Sequence, residues 1–151
     1  MNPADPTTGL PALLDESGIV ELLRTSKRIA VVGASSNPAR PSNGVFHSLI
    51  WAGYLCVPVN PRETEVAGVP AVATLAEAAI ALGGRIDIVD VFRRPELTEE
   101  IAREAVAVGA RALWLQLGVI NWEAARIAAE GGLAVVMDRC TAIEIRHVSR
   151  G

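Results

Sequence analysis

Ile29-Ala30-Val31-Val32-Gly33-Ala34-Ser35-Ser36, followed by Arg40-Pro41-Ser42-Asn43-Gly44-Val45, is the stretch on which the reading of the chain turns. Residues 29–32 are apolar without alternation, as a strand buried on both faces should be. Gly33 permits a tight turn. Ser42 then reads as the cap of a helix whose Val45, Leu49 and Ala52 form one stripe, with Gly53 ending it. Strand, glycine turn and helix follow within 25 residues.

The pattern repeats outward from there. Further apolar runs occupy 55–59, 86–91, 112–117 and 133–137, with a weaker strand signal at 69–72. Between them, Thr74 and Glu77 fit a capping box closed by Gly83. Leu97, Ile101, Ala105 and Val108 form a stripe stopped by Gly109, and Asn121 caps a helix ending at Gly131 and Gly132. Upstream, Ile19, Leu22 and Leu23 lie at helical spacing within 15–27. Strands alternating with helices over short connections imply a parallel sheet covered on both faces. The expected fold is α/β: a Rossmann-like three-layer sandwich with a mostly parallel sheet of five or six strands.

A length of 151 residues suits one domain. Residues 1–14, with Pro3, Pro6, Gly9 and Pro11, read as a loose lead-in, and 15–151 as a single domain including the N-terminal helix. Half of the residues are hydrophobic and 21% are charged, which excludes a disordered chain. The net charge of −3 argues against general nucleic-acid binding. No apolar run reaches the ~18 residues of a membrane span, and the polar N-terminus lacks a signal peptide's apolar stretch. Cys56 and Cys140 have no metal-type spacing, and His47 and His147 are the only histidines. No metal is expected, and a reduced cytoplasmic compartment is the simplest reading. Trp51, Trp114 and Trp122 read as packing residues.

In open α/β sheets, ligands sit beyond the carboxyl ends of the strands, where the strand order reverses, normally beside the first strand. The loops at those ends hold Gly33, Ala34, Ser35 and Ser36; Asn60, Pro61 and Arg62; Phe92, Arg93 and Arg94; Gly118; and Asp138 to Thr141. Cations and hydroxyls gather there although the whole chain is acidic. Gly33 and Ser35, with Arg40 and the helix opening at Ser42, make a phosphate site. The tandem Arg93 and Arg94 clamp phosphates or form a solvated loop pairing with Glu96 and Glu99. Asp87 and Asp90 interrupt an apolar strand and read as structural, and Gln116 faces the crevice or serves the core. The dinucleotide fingerprint G-x-G-x-x-G is absent, and the second strand ends in Asn60-Pro61-Arg62 where an NAD site would place an acid. Spacing supports no Ser–His–Asp, Cys–His or paired-carboxylate arrangement, so no catalytic residue is assigned.

Six ordered segments carry a resemblance: V-V-G-A-S at 31–35, R-P-S at 40–42, and G-Y at 53–54 with V-P-V-N-P at 57–61. The others are V-D-V-F-R-R at 89–94, W-L-Q-L-G at 114–118 and V-M-D-R-C at 136–140. Together they resemble the single-domain bacterial CoA-binding proteins, which share their fold with the CoA-binding domain of succinyl-CoA synthetase alpha subunits. The resemblance spans about residues 29–146. It implies coenzyme A, or an acyl-CoA, with Gly33, Ala34, Ser35 and Arg40 at the pyrophosphate. Asn60 and Pro61 would flank the adenosine end, and Arg62 would meet the 3′-phosphate. Phe92, Arg93, Arg94 and Gln116 would line the path of the rest of the ligand. Cys140 would meet the CoA thiol or serve as a small buried hydrophobe.

Acyl-CoA synthesis by this chain alone is not expected, because the synthetase relies on a second domain with a phosphorylated histidine and on a partner subunit. The expectation is a binding protein without chemistry of its own, with a homodimer or a partner enzyme left open. Two alternatives stand beside it. One is an NADP-linked oxidoreductase with Arg62 at the 2′-phosphate; the other is a CoA-dependent redox sensor using Cys140.

Overall fold

The structure, a computed structural model, describes residues 9–148; residues 1–8 of the lead-in and 149–151 of the domain lie outside them. The main sheet contains β1 (Arg28–Val32), β2 (Leu55–Val59), β5 (Ile88–Val91), β6 (Ala112–Leu115) and β7 (Ala134–Val136). Its order is β2-β1-β5-β6-β7 and every pairing is parallel. Alternate strand residues face opposite ways. Ile29, Val31, Ile88 and Trp114 pack beneath α1 (Glu16–Thr25), α2 (Pro41–Trp51) and α6 (Thr141–Glu144). Ala30, Val32, Val89 and Leu113 pack beneath α3 (Leu75–Ala81), α4 (Thr98–Ala107) and α5 (Trp122–Glu130). Apolar side chains on both faces explain the unalternating runs. The result is the three-layer α/β sandwich expected from sequence.

The sheet has five strands among the described residues. The 69–72 segment becomes a two-stranded antiparallel hairpin, β3 (Glu65–Val66) with β4 (Val69–Pro70), and Val72 touches Val59 through a single bridge. Asp15, Thr74 and Asn121 cap α1, α3 and α5 by accepting the amide hydrogens of Gly18, Glu77 and Ala124. Ser42 does not cap α2. That helix starts two residues earlier than a Ser42 cap would place it, with Arg40 at the cap position and Pro41, whose fixed φ suits a first helical residue, behind it. Trp51 is 93% exposed, contrary to its reading as a packing residue. Two residues past Leu49 on a helix is about 200° around the axis, so Trp51 points away from the sheet. Trp114 is fully buried and Trp122 is 38% exposed.

Asp87 has a structural role. Its Oδ2 accepts the backbone amides of Lys27 and Arg28 at 2.8 and 2.9 Å, and Arg85 pairs with it at 3.2 Å. At the β7 edge, the Leu14 amide donates to Val135, and Leu13 and Leu14 pack against the two opposite cores. The chain therefore joins the fold just before α1. Connections from β1 run first to β2 on one side, then back across to β5 on the other. The order reverses between β1 and β5, so their carboxyl ends open the crevice where α/β ligands bind.

Candidate functional site

Backbone hydrogen bonds stitch together the loops leaving β1, β2 and β5. The Gly33 amide donates to Val59, and the Phe92 amide donates to Val32. Gly33 has φ of +85°, and a Cβ there would lie 2.5 Å from the Phe92 carbonyl oxygen and 2.9 Å from Arg93 Cδ. Only glycine fits this close approach. Ala34 is buried, and its carbonyl accepts the Asn60 side-chain amide at 3.0 Å. Asn60 Oδ1 accepts the Arg62 amide at 2.9 Å, shaping the turn around Pro61.

Ser42 Oγ accepts the Ser35 amide at 3.1 Å, and Ser35 Oγ accepts the Asn37 amide at 3.0 Å. Both hydroxyl oxygens thus accept amide hydrogens of their own loop, and the Ser35 hydroxyl also hydrogen-bonds the Glu63 carboxylate. No side chain caps α2 among the described residues, and the N-terminus of that helix opens on the crevice, which Glu63 also lines. Glu63, one residue past Arg62, was given no role from the sequence. It returns to accept the Ser36 amide at 2.9 Å and the Ser36 hydroxyl at 2.7 Å. These bonds hold its carboxyl below the usual carboxylate range.

The crevice between these loops has a volume of about 1080 Å³, at the upper end for small-molecule and cofactor sites. Gly33, Ser35, Arg40 and Ser42 line it from the β1 side, and Asn60, Pro61 and Arg62 from the β2 side. Phe92, Arg93 and Arg94 line it after β5, Gln116 after β6 and Cys140 after β7. Of the residues assigned to the ligand from sequence, Ala34 alone is absent from that lining, its contact being through the backbone. Among the described residues, Arg40, Arg62 and Arg93 make no ion pair, whereas Arg94 pairs with Glu96 at 3.5 Å. Cys140 is a half-buried free thiol at the cap position of α6. Cys56 is buried away from the crevice, and burial, helped by the Asp90 charge, pushes its thiol up to about 12.

Under the β6 end lies a polar triangle of Asp90, Gln116 and Thr141, the last named from sequence only as a loop residue. Gln116 Nε2 donates to Asp90 Oδ1 at 2.6 Å and to Thr141 Oγ1 at 2.9 Å, while the Thr141 hydroxyl donates to Asp90 Oδ2 at 3.0 Å. Nothing in the spacing of positions 90, 116 and 141 announces them as neighbours. Only α6, itself too short to give a periodic signal, brings Thr141 under the sheet. Burial pushes Asp90 from an ordinary 3.8 up to about 7, against the opposing pull of the Gln116 and Thr141 hydrogen bonds.

A carboxyl with a higher pKa folded than unfolded holds its proton more tightly when folded. Its cost is absent below the unfolded value of 3.8 and complete above about pH 7. Unfolding free energy of the native protein should therefore fall relative to Asp90→Asn as pH rises through that window. Urea titrations at several pH values measure the difference, and a flat difference contradicts the buried-acid account.

Among the described residues there is no group of three or more His, Cys, Asp or Glu placed to hold a metal, and no helix long and apolar enough to cross a membrane. Fold and crevice together define a Rossmann-like α/β protein with an open crevice at its switch point. The chain belongs to the CoA binding domain family, whose model matches residues 27–146. It is 44% identical over 129 residues to the uncharacterized protein YneT of Bacillus subtilis (strain 168), covering 85% of this chain and 91% of that one. A hypothetical protein from Pyrococcus horikoshii OT3 superposes with a TM-score of 0.82 at 35% identity, covering 98% of this chain and 99% of the other. The dinucleotide forming acetyl-coenzyme A synthetase 1 of Ca. Korarchaeum cryptofilum shares the fold alone, with TM-score 0.66 and 18% identity. That match covers 79% of this chain and 28% of the synthetase.

Proposed function

We propose that the crevice binds coenzyme A, or an acyl-CoA, and that this chain performs no chemistry on it. The observation that carries the reading is the convergence of Arg40, Arg62 and Arg93, without acidic partners among the described residues, on one crevice of a chain with net charge −3. Beside them the α2 N-terminus lacks a side-chain cap. Coenzyme A brings a pyrophosphate and a 3′-phosphate, and guanidinium groups beside a helix N-terminus suit both. Gly33, Ser35, Ser42 and Arg40, with the Ala34 backbone, would hold the pyrophosphate. Asn60, Pro61 and Arg62 would flank the adenosine and its 3′-phosphate. Phe92, Arg93, Arg94, Gln116 and Cys140 would line the remainder. The free thiols of Cys56 and Cys140 suit a reducing compartment such as the cytoplasm.

Titration calorimetry with CoA, dephospho-CoA, NADP and NAD tests the reading. We expect CoA to bind best and dephospho-CoA more weakly, because Arg62 loses its phosphate. A preference for NADP or NAD would overturn the CoA reading in favour of an oxidoreductase.

A further inference from the structure

We propose that Asp90 and Thr141 hold the Gln116 amide with its carbonyl oxygen toward the crevice, making Gln116 a selector for an amide N–H on the ligand's uncharged arm. The inference rests on the CoA reading and adds the polarity of one contact and the residues that set it.

The donor count fixes the amide's orientation. Two hydrogens on Gln116 Nε2 and one on the Thr141 hydroxyl meet three acceptors: both Asp90 carboxylate oxygens and Thr141 Oγ1. The triangle closes with Asp90 ionised and no hydrogen left over. While Asp90 is ionised, turning the amide over would set its oxygen 2.6 Å from Asp90 Oδ1 with no hydrogen between them. Gln116 Oε1 has no partner among the described residues. Yet the one buried side-chain polar atom without a partner there is Ser26 Oγ. Oε1 is therefore not sealed inside the protein. Gln116 is only 3% exposed, and the open space it borders is the crevice.

The position of Gln116 says which part of the ligand it meets. Arg40, Arg62 and Arg93 follow β1, β2 and β5, whereas Gln116 follows β6. At a strand spacing of about 4.8 Å, β6 lies about 10 Å from β1. The phosphates belong at the cationic side, so the uncharged pantetheine arm is what reaches β6. That arm carries two amide N–H groups, and a fixed carbonyl oxygen accepts from such a group but not from another acceptor. Gln116 touches the ligand; Asp90 and Thr141 act through it as positioning residues.

The test compares CoA with its 3′-phospho-ADP portion, which lacks the arm, by calorimetry at pH 8, where Asp90 is ionised. Gln116→Met and Thr141→Val should each weaken CoA by roughly five- to tenfold, the size of one hydrogen bond. Both should leave 3′-phospho-ADP unchanged, and Thr141→Ser, which keeps the hydroxyl, should retain native CoA affinity. If Thr141→Val does not fold, Gln116→Met decides. Equal weakening of both ligands, or undiminished CoA affinity in Gln116→Met, would overturn the inference while leaving CoA binding intact. Failure of the native protein to bind CoA would overturn both.

Discussion

Gly33→Val should lower the unfolding free energy by about 3–5 kcal/mol, combining positive-φ strain with overpacking. At φ of +85° the backbone lies where a β-branched residue is an outlier. The new Cβ would also meet the Phe92 carbonyl oxygen at 2.5 Å. That carbonyl belongs to a loop tied to β1 by the Phe92 amide, so it cannot retreat without losing that bond. Relief must come from moving the Phe92–Arg93 turn, which also displaces one wall of the crevice. Urea unfolding measures the loss, and Gly33→Ala should show a smaller loss of the same kind. A loss below about 1 kcal/mol in Gly33→Val would mean that the β1 and β5 loops are not in the contact described.

The second large effect is on ligand affinity. Arg40→Ala and Arg93→Ala should each weaken CoA binding by about 1.5–3 kcal/mol as charged hydrogen bonds are lost. The double variant should lose about 3–6 kcal/mol, roughly a hundredfold or more, if the two groups contact different phosphate oxygens. A smaller combined loss would mean that they share one. Arg126 pairs with Glu123 on α5 and serves as the control. Arg126→Ala should leave affinity unchanged. Both site arginines are exposed and lack ion pairs among the described residues, so their removal should leave stability close to native. Native affinity in a folded double variant would remove the anion from this crevice.

What the sequence discloses follows from how local each signal is. The five sheet strands are legible because each is a short apolar run between turn residues, and parallel order follows from the helices between them. Asp15, Thr74 and Asn121 declare their helices because a capping side chain acts within three residues of itself. The switch-point loops are legible for the same reason: position at a strand's end is a one-dimensional property. Contacts across the sheet are not. Glu63 reaches Ser36 and Thr141 reaches Asp90 over 27 and 51 residues, and neither separation has a period. Ser42 misled because a serine before an apolar stripe looks like a cap, while Pro41 had already started the helix. Trp51 misled because its type suggests burial but its angle on α2 denies it.

The most direct test of the central claim is a crystal structure of the protein with CoA. The account predicts the pyrophosphate against Gly33–Ser35 and the α2 N-terminus. It places the 3′-phosphate near Arg62 and the pantetheine arm running past Phe92 toward Gln116. CoA bound elsewhere, for example in the groove lined by His47, Trp51 and Ile145, would contradict it.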